Sequence, residues 1–221
     1  MQEVLPIVFV VDDDVSVRES LELLLRNEGW QVELFVSASD FLAYDPPVVP
    51  NCLVLDVSLP GLNGLELQRC IGSDRTEMPI IFITGHGDIP MTVQAMKAGA
   101  IEFLQKPFSD ETMLNAIRGA LQRSKHLLSR KNEIRELRSM YGQLTPRERE
   151  VMALVAAGLP NKQVGSELGI SEITVKAHRG SLMRKLNASS VADLVKIATR
   201  LRVTTSRTLD ARAVVSESHR S

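Results

Sequence analysis

The chain has 221 residues, enough for one large domain or two ordinary ones at roughly 150 residues each. Hydrophobic residues make up 44% and charged residues 24%, which excludes wholesale disorder. No apolar run approaches the roughly 20 residues that span a bilayer, so no membrane association is expected. Glu3 and the run Asp12-Asp13-Asp14 make the start unlike a signal peptide. Cys52 and Cys70 are too few for a disulfide framework or a four-ligand zinc site, and a reducing, cytoplasmic setting is expected. The net charge of −1 hides an asymmetry: residues 1–123 hold 18 acidic and 8 basic residues, a net of −10, whereas residues 124–221 hold 9 and 18, a net of +9. A cation site suits the first part and a polyanionic partner the second.

In the acidic part, β-branched apolar runs recur at Ile7–Val11, Val32–Phe35, Cys52–Leu55, Ile80–Thr84 and Ile101–Leu104. Between them lie helical patterns with recognisable ends. Ser16 to Asn27 carries Leu21, Leu24 and Leu25 and stops at Gly29. Ser37 caps Ala38–Tyr44, and Ser109 caps the segment after Pro107. Apolar strands alternating with helices predict a parallel sheet covered on both faces. Five such units in about 120 residues predict an α/β, flavodoxin-like, doubly wound five-stranded domain, which binds ligands beyond the carboxyl ends of its strands. At those ends stand Asp12 and Asp13, Asp56, Thr84, and Lys106-Pro107. In the strand order 2-1-3-4-5 the three carboxylates converge, and their mutual repulsion calls for a hard divalent cation such as Mg2+. Lys106 and Thr84 add groups able to hold phosphoryl oxygens. Together these residues suit phosphoryl transfer to a carboxylate. Singly they also have plainer readings: Asp14 as a solvated cap, Thr84 as a β-former, Phe103 as a core aromatic.

Val11-Asp12-Asp13, Leu55-Asp56 through Pro60-Gly61, Phe82-Ile83-Thr84-Gly85 and Lys106-Pro107-Phe108 together resemble the receiver domain of bacterial two-component response regulators, over about residues 5–122. The resemblance implies that Asp56 is the phosphoacceptor, with Thr84 and Lys106 assisting. It implies that Asp13 binds Mg2+ (or Mn2+) directly and Asp12 through water, with Asp56 and the Ser58 carbonyl completing the set. Thr84 and Phe103 would be a switch pair, and Lys106-Pro107 resembles the family's cis peptide. The partner it implies is a sensor histidine kinase.

The basic part predicts four short helices. Thr145, Pro146 and Glu148 have the form of a capping box with proline at the first position, opening a helix through Val151, Leu154 and Val155 to Gly158. A second helix follows Asn161, with Val164 and Leu168 on one face, and ends near Gly169. Ser171 caps a third with a buried stripe of Val175, Leu182 and Leu186, and Ser189 opens a last one carrying Val191, Leu194, Val195 and Ala198. Opposite its buried stripe the third helix is expected to present Lys176, Ala177, Arg179, Gly180 and Arg184, a face suited to the major groove. A solvated basic helix packed on another protein is the alternative.

Leu144-Thr145-Pro146-Arg147-Glu148, Gly158, Asn161-Lys162 and Thr174-Val175-Lys176-Ala177-His178 resemble the LuxR-type helix-turn-helix of FixJ/NarL response regulators, over about residues 143–200. By that resemblance Lys176, Ala177 and Gly180 face bases, and Lys162, Thr174, His178 and Arg184 contact the DNA backbone. Gly180 departs from relatives that place a long polar side chain there, which leaves Lys176 as the main polar reader.

Helix formers from Thr112 to Tyr141 predict that the last helix of the first domain continues into a linker. Ser124 and Lys131 fall where a coiled-coil seam needs apolar residues, and a solvated linker is equally compatible. The expected layout is a receiver at 1–122, a linker helix at 123–142, a small all-α helix-turn-helix domain at 143–202 and a disordered tail at 203–221. The expected function is a phosphorylation-controlled transcriptional regulator, not an enzyme. It would form a homodimer on phosphorylation and bind double-stranded promoter DNA, with RNA polymerase as a further partner. Two alternatives remain. Asp12-Asp13-Asp14-Val15 has the D-x-D-x-V form of haloacid-dehalogenase-type phosphatases, in which Asp12 would be the nucleophile. A constitutive DNA binder would use the first domain only as a dimerisation scaffold.

Overall fold

Runs such as Ile7-Val8-Phe9-Val10-Val11 offer no polar side to water, so they form strands of a sheet buried on both faces. The computed structural model describes residues 5–72, 75–85, 87 and 89–203. The chain divides into two compact units, residues 1–130 and 131–221.

In the first unit, strands β1 (Ile7–Val11), β2 (Gln31–Phe35), β3 (Asn51–Asp56), β4 (Ile80–Thr84) and β5 (Glu102–Gln105) form one sheet in the order β2-β1-β3-β4-β5. Every neighbouring pair is parallel, as the doubly wound expectation requires. Side-chain alternation splits the core in two. Phe9, Val11, Leu53, Leu55 and Phe82 face one way, toward α2 (Ala38–Ala43), α3 (Gly64–Ile71) and α4 (Ile89–Lys97). Val8, Val10, Cys52, Val54 and Ile83 face the other, toward α1 (Val15–Asn27) and the first turns of α5 (Asp110–Gly142).

Capping sets where the helices begin. Asp14 accepts from the Ser16 N–H at the start of α1, and Ser37 accepts from the Asp40 N–H at the start of α2. Asn63 and Glu66 form a capping box on α3. The Ser109 hydroxyl accepts from the Thr112 N–H, 3.2 Å away, in the first turn of α5.

Helix α5 runs for 33 residues, from Asp110 to Gly142. Ser124 belongs to no seam. It is fully buried within the first unit, where its hydroxyl accepts from the Asn51 N–H at 3.1 Å and donates to the Glu77 carbonyl at 2.7 Å. Cys52 is buried, and burial pushes its thiol up. Cys70 is exposed.

The second unit packs α6 (Pro146–Ala156), α7 (Asn161–Leu168), α8 (Glu172–Lys185) and α9 (Val191–Leu201) around Val151, Met152, Val164, Val175, Leu182 and Leu194. Thr145, Pro146 and Glu148 open α6 with the expected capping box. Helix α7 starts at Asn161 itself, with Pro160 in the cap position and no side-chain cap bond. Ser190, not Ser189, caps α9, because Asp193 three residues later completes its box. Leu194 and Ala198 of α9 are buried whereas Val191 and Val195 are exposed, which narrows the expected apolar stripe. Val203 packs against the core of this unit, so the expected tail does not begin there; residues 204–221 lie outside the described residues. Among the described residues, no helix is long and apolar enough to cross a membrane.

Candidate cation pocket and nucleic-acid helix

Strand register builds the pocket. Val11 of β1 pairs with Leu55 of β3, so Asp12 and Asp56 each follow the same rung, at the edge where ligands bind in doubly wound sheets. Oxygens of Asp12, Asp13 and Asp56 all lie within 4.8 Å of one another. Asp12 and Asp56 are buried and Asp13 is exposed. Lys106 Nζ donates to Asp12 Oδ2 at 2.7 Å and to Asp56 Oδ2 at 2.8 Å. The Lys106 N–H donates to the Thr84 carbonyl at 2.8 Å, which ties the end of β4 to the loop carrying the ammonium. Lys106-Pro107 is cis.

Burial pushes the Asp12 carboxyl above its ordinary value, and the Asp56 charge acts in the same direction. Hydrogen bonds from Lys106 and the Asp14 N–H oppose both. Burial works against the Lys106 ammonium, but its bonds to Asp12 and Asp56 outweigh that, so it holds its proton more tightly than a free lysine. Lys106 bonds two of the three carboxylates, and an all-oxygen donor set with more negative than positive charge among the described residues fits Mg2+ or Mn2+.

The Ser58 N–H donates to Asp56 Oδ1 at 2.8 Å, which brings the residue expected to offer its carbonyl into the same loop. Thr84 is fully buried at the end of β4. Phe103, half-buried on β5, lies with its ring centroid 6.1 Å from that of Phe82. A Cβ added at Gly87 would lie 3.0 Å from the Phe103 ring and 3.1 Å from the Thr84 methyl, so Thr84 and Phe103 flank the same glycine. Asp14 is the expected exposed cap, its carboxyl held down by the Ser16 hydroxyl and N–H.

Gly64 was not singled out from sequence. A Cβ there would lie 2.4 Å from the Asp56 carbonyl oxygen, so only glycine lets the start of α3 press against the end of β3. Gly165 does the same for the second unit, where a Cβ would lie 2.7 Å from the Ile170 carbonyl oxygen in the turn between α7 and α8. The start of α3 was not read from sequence, although the Asn63–Glu66 capping box carries a local signal for it. Nothing local marked the closeness of the approach at either glycine.

On α8, Lys176, Ala177, Gly180 and Arg184 are exposed and share one face, while Val175 and Leu182 are buried opposite. Arg179 does not belong with them. It stands four residues after Val175, on the inner side, half-buried, and donates to Asn161 Oδ1 at 3.2 Å. Lys176 is paired with Glu172 at 2.9 Å. Thr174 and His178 are half-buried at the flanks, and Lys162 is exposed on α7. Beneath α8, Glu148 is almost fully buried and pairs with Lys185 at 2.7 Å.

Residues 8–118 match the family described as the response regulator receiver domain, and residues 142–198 match the bacterial regulatory proteins of the luxR family. Nodulation protein W of Bradyrhizobium diazoefficiens is 50% identical over 202 residues, covering 91% of this chain and 89% of that protein. Response regulator protein TodT of Pseudomonas putida is 45% identical over 196 residues, covering 89% and 86%. Transcriptional regulatory protein FixJ of Rhizobium meliloti is 42% identical over 194 residues, covering 86% and 94%. Among solved structures, response regulator StyR aligns with a TM-score of 0.78 at 49% identity, covering 89% of this chain and 100% of that one. Full-length FixJ from B. japonicum aligns with a TM-score of 0.54 at 37% identity, covering 90% and 98%.

Proposed function

The chain belongs to the response regulators that join a receiver domain to a LuxR-type regulatory domain, and from that membership we propose that it is a two-component transcriptional regulator switched by phosphorylation of Asp56. The observation that carries this is the convergence of Asp12, Asp13 and Asp56 around one point, with the Lys106 ammonium 2.8 Å from Asp56. The Asp56 carboxylate attacks the phosphorus of a phosphohistidine on a sensor histidine kinase. The P–N bond breaks, the imidazole leaves with its electron pair and takes up a proton, and an acyl phosphate remains. Asp12, Asp13, Asp56 and the Ser58 carbonyl would hold Mg2+, which when bound neutralises charge on the phosphoryl oxygens. Lys106 and the Thr84 hydroxyl hold the same oxygens. The movement of Thr84 is coupled to Phe103 beside it, which favours a homodimer able to bind promoter DNA and engage RNA polymerase.

In this proposal the receiver spans 1–122, the linker helix 123–142 and the DNA-binding domain 143–202, and the protein works in the cytoplasm. Lys176, Ala177 and Gly180 face the bases, and Lys162, Thr174, His178 and Arg184 contact the backbone. The bond from Arg179 to Asn161 argues for a role in holding α7 to α8.

The test is to treat the protein with acetyl phosphate and Mg2+ and map the labelled residue by mass spectrometry. Label on Asp56, lost in Asp56→Asn, is expected. Label on Asp12 would instead favour the phosphatase alternative, although Asp12 is fully buried and already bonded to Lys106 and the Asp14 N–H. DNA affinity unchanged by phosphorylation would favour the constitutive binder.

A further inference from the structure

Ile173 is 80% exposed, whereas the other exposed large hydrophobics described in the second unit, Val191 and Val195, are at 37% and 36%. It lies in the first turn of α8 and has no part in that unit's core. Its spacing to Lys176, Ala177, Gly180 and Arg184 is three, four, seven and eleven residues, which on a helix of 3.6 residues per turn places all five on one stripe. Covering a side chain of this size is favourable, and Ile173 is left uncovered within its own unit.

The rest of the stripe indicates what covers it. Lys176 and Arg184 are cations that suit a polyanion. Ala177 and Gly180 are small and exposed, and a Cβ at Gly180 would meet nothing within 4 Å. The stripe is therefore low between its apolar head and its basic end, so the backbone can come close to a surface while Ile173 projects toward it. In a duplex, the apolar feature on the major-groove edge is the C5-methyl group of thymine.

We propose that Ile173 packs against the methyl group of a thymine and so sets a preference for that base at one position of the bound site. The proposal rests on α8 entering the major groove and adds to it an apolar contact beside the polar one from Lys176. It also answers how a helix bearing glycine at position 180 discriminates between sequences.

The test uses the full-length protein phosphorylated with acetyl phosphate and Mg2+, its acyl phosphate verified by mass spectrometry. Binding sites are selected from a randomised duplex pool, and each thymine of the selected site is then replaced singly by uracil, which removes only the methyl group. One position is expected to lose about fourfold in affinity, the worth of one buried methyl. With Ile173→Ala the thymine site should weaken by a similar factor, and the uracil substitution at that position should then have no further effect, a coupling read from the double-mutant cycle. Alanine at this exposed position removes no core contact, so the thermal melting of the variant should match that of the parent. If a specific site is selected but the uracil effects are identical in parent and variant, the Ile173 contact is wrong and the groove-binding reading stands. If no sequence is enriched, the groove-binding reading itself falls.

Discussion

Lys106 Nζ lies 2.8 Å from Asp56 Oδ2, so the carboxylate proposed to accept the phosphoryl group is held by a cation before any phosphodonor arrives. The same ammonium opposes a divalent ion in the pocket. Lys106→Met should therefore bind Mn2+ more tightly, by about tenfold as one unit of nearby positive charge is removed, while forming acyl phosphate more slowly. Titration by electron paramagnetic resonance and labelling by acetyl phosphate check the two halves. Weaker Mn2+ binding would mean that Lys106 supports the pocket mainly by orienting Asp12 and Asp56.

Gly64→Ala should disable the pocket without touching a carboxylate. The new Cβ would fall 2.4 Å from the Asp56 carbonyl oxygen, so the end of β3 or the start of α3 must move. We expect Mn2+ affinity and phosphorylation to drop by more than tenfold, since a displacement of about 1 Å at a reacting group can cost 100-fold. Retention of parental affinity would show that the loop absorbs the extra carbon cheaply.

Glu148 anchors the second unit electrostatically. Burial alone would raise its carboxyl, but Lys185, Ser181 and the Thr145 cap outweigh that and hold it at about 2 instead of 4.5. A carboxylate lowered on folding contributes stability that is fully present above the unfolded value and lost as pH falls from about 4.5 toward 2. Glu148→Gln should cost this unit about 1–2 kcal/mol at pH 7, a moderate figure because Lys185 is a third exposed and solvent takes part of the charge. The deficit should shrink as the solution is acidified through that window. Calorimetry of the full chain at several pH values checks this, and a constant deficit would argue against the charge.

Glu172 holds Lys176 at 2.9 Å on the exposed face of α8. A carboxylate there repels phosphates and occupies the lysine proposed to read a base. Glu172→Gln should strengthen nonspecific duplex binding and steepen its dependence on salt concentration by about one unit of slope. Fluorescence anisotropy with a random-sequence duplex measures both, and unchanged slopes would place Glu172 outside the contact region.

The strands and the three converging aspartates were legible because they depend on local pattern and chain order. Continuous apolar runs give a parallel sheet, and a parallel sheet in this order brings the ends of β1 and β3 together. The start of α9 was misplaced by one residue at Ser189, although the deciding signal is local: Asp193 stands three residues after Ser190 and completes its capping box. Other features depend on distant neighbours. Ser124 is polar in a helical stretch, and its burial makes sense only once the Asn51 N–H and the Glu77 carbonyl are known to face it. Arg179 reads as one more cation on a basic helix until Asn161 on the preceding helix supplies its acceptor. Gly64 is ordinary in composition, and its role comes from the closeness of one backbone oxygen.

The pairing of Val11 with Leu55 has a consequence for inheritance. Side chains alternate along a strand, so one residue inserted between Ile7 and Val8 would turn Val8, Val10 and Asp12 to the opposite layer. Replacing one aliphatic side chain by another leaves that phase intact. Drift among descendants of this gene will therefore appear as exchanged residues inside the strands, with gains and losses of length confined to connectors such as residues 44–50.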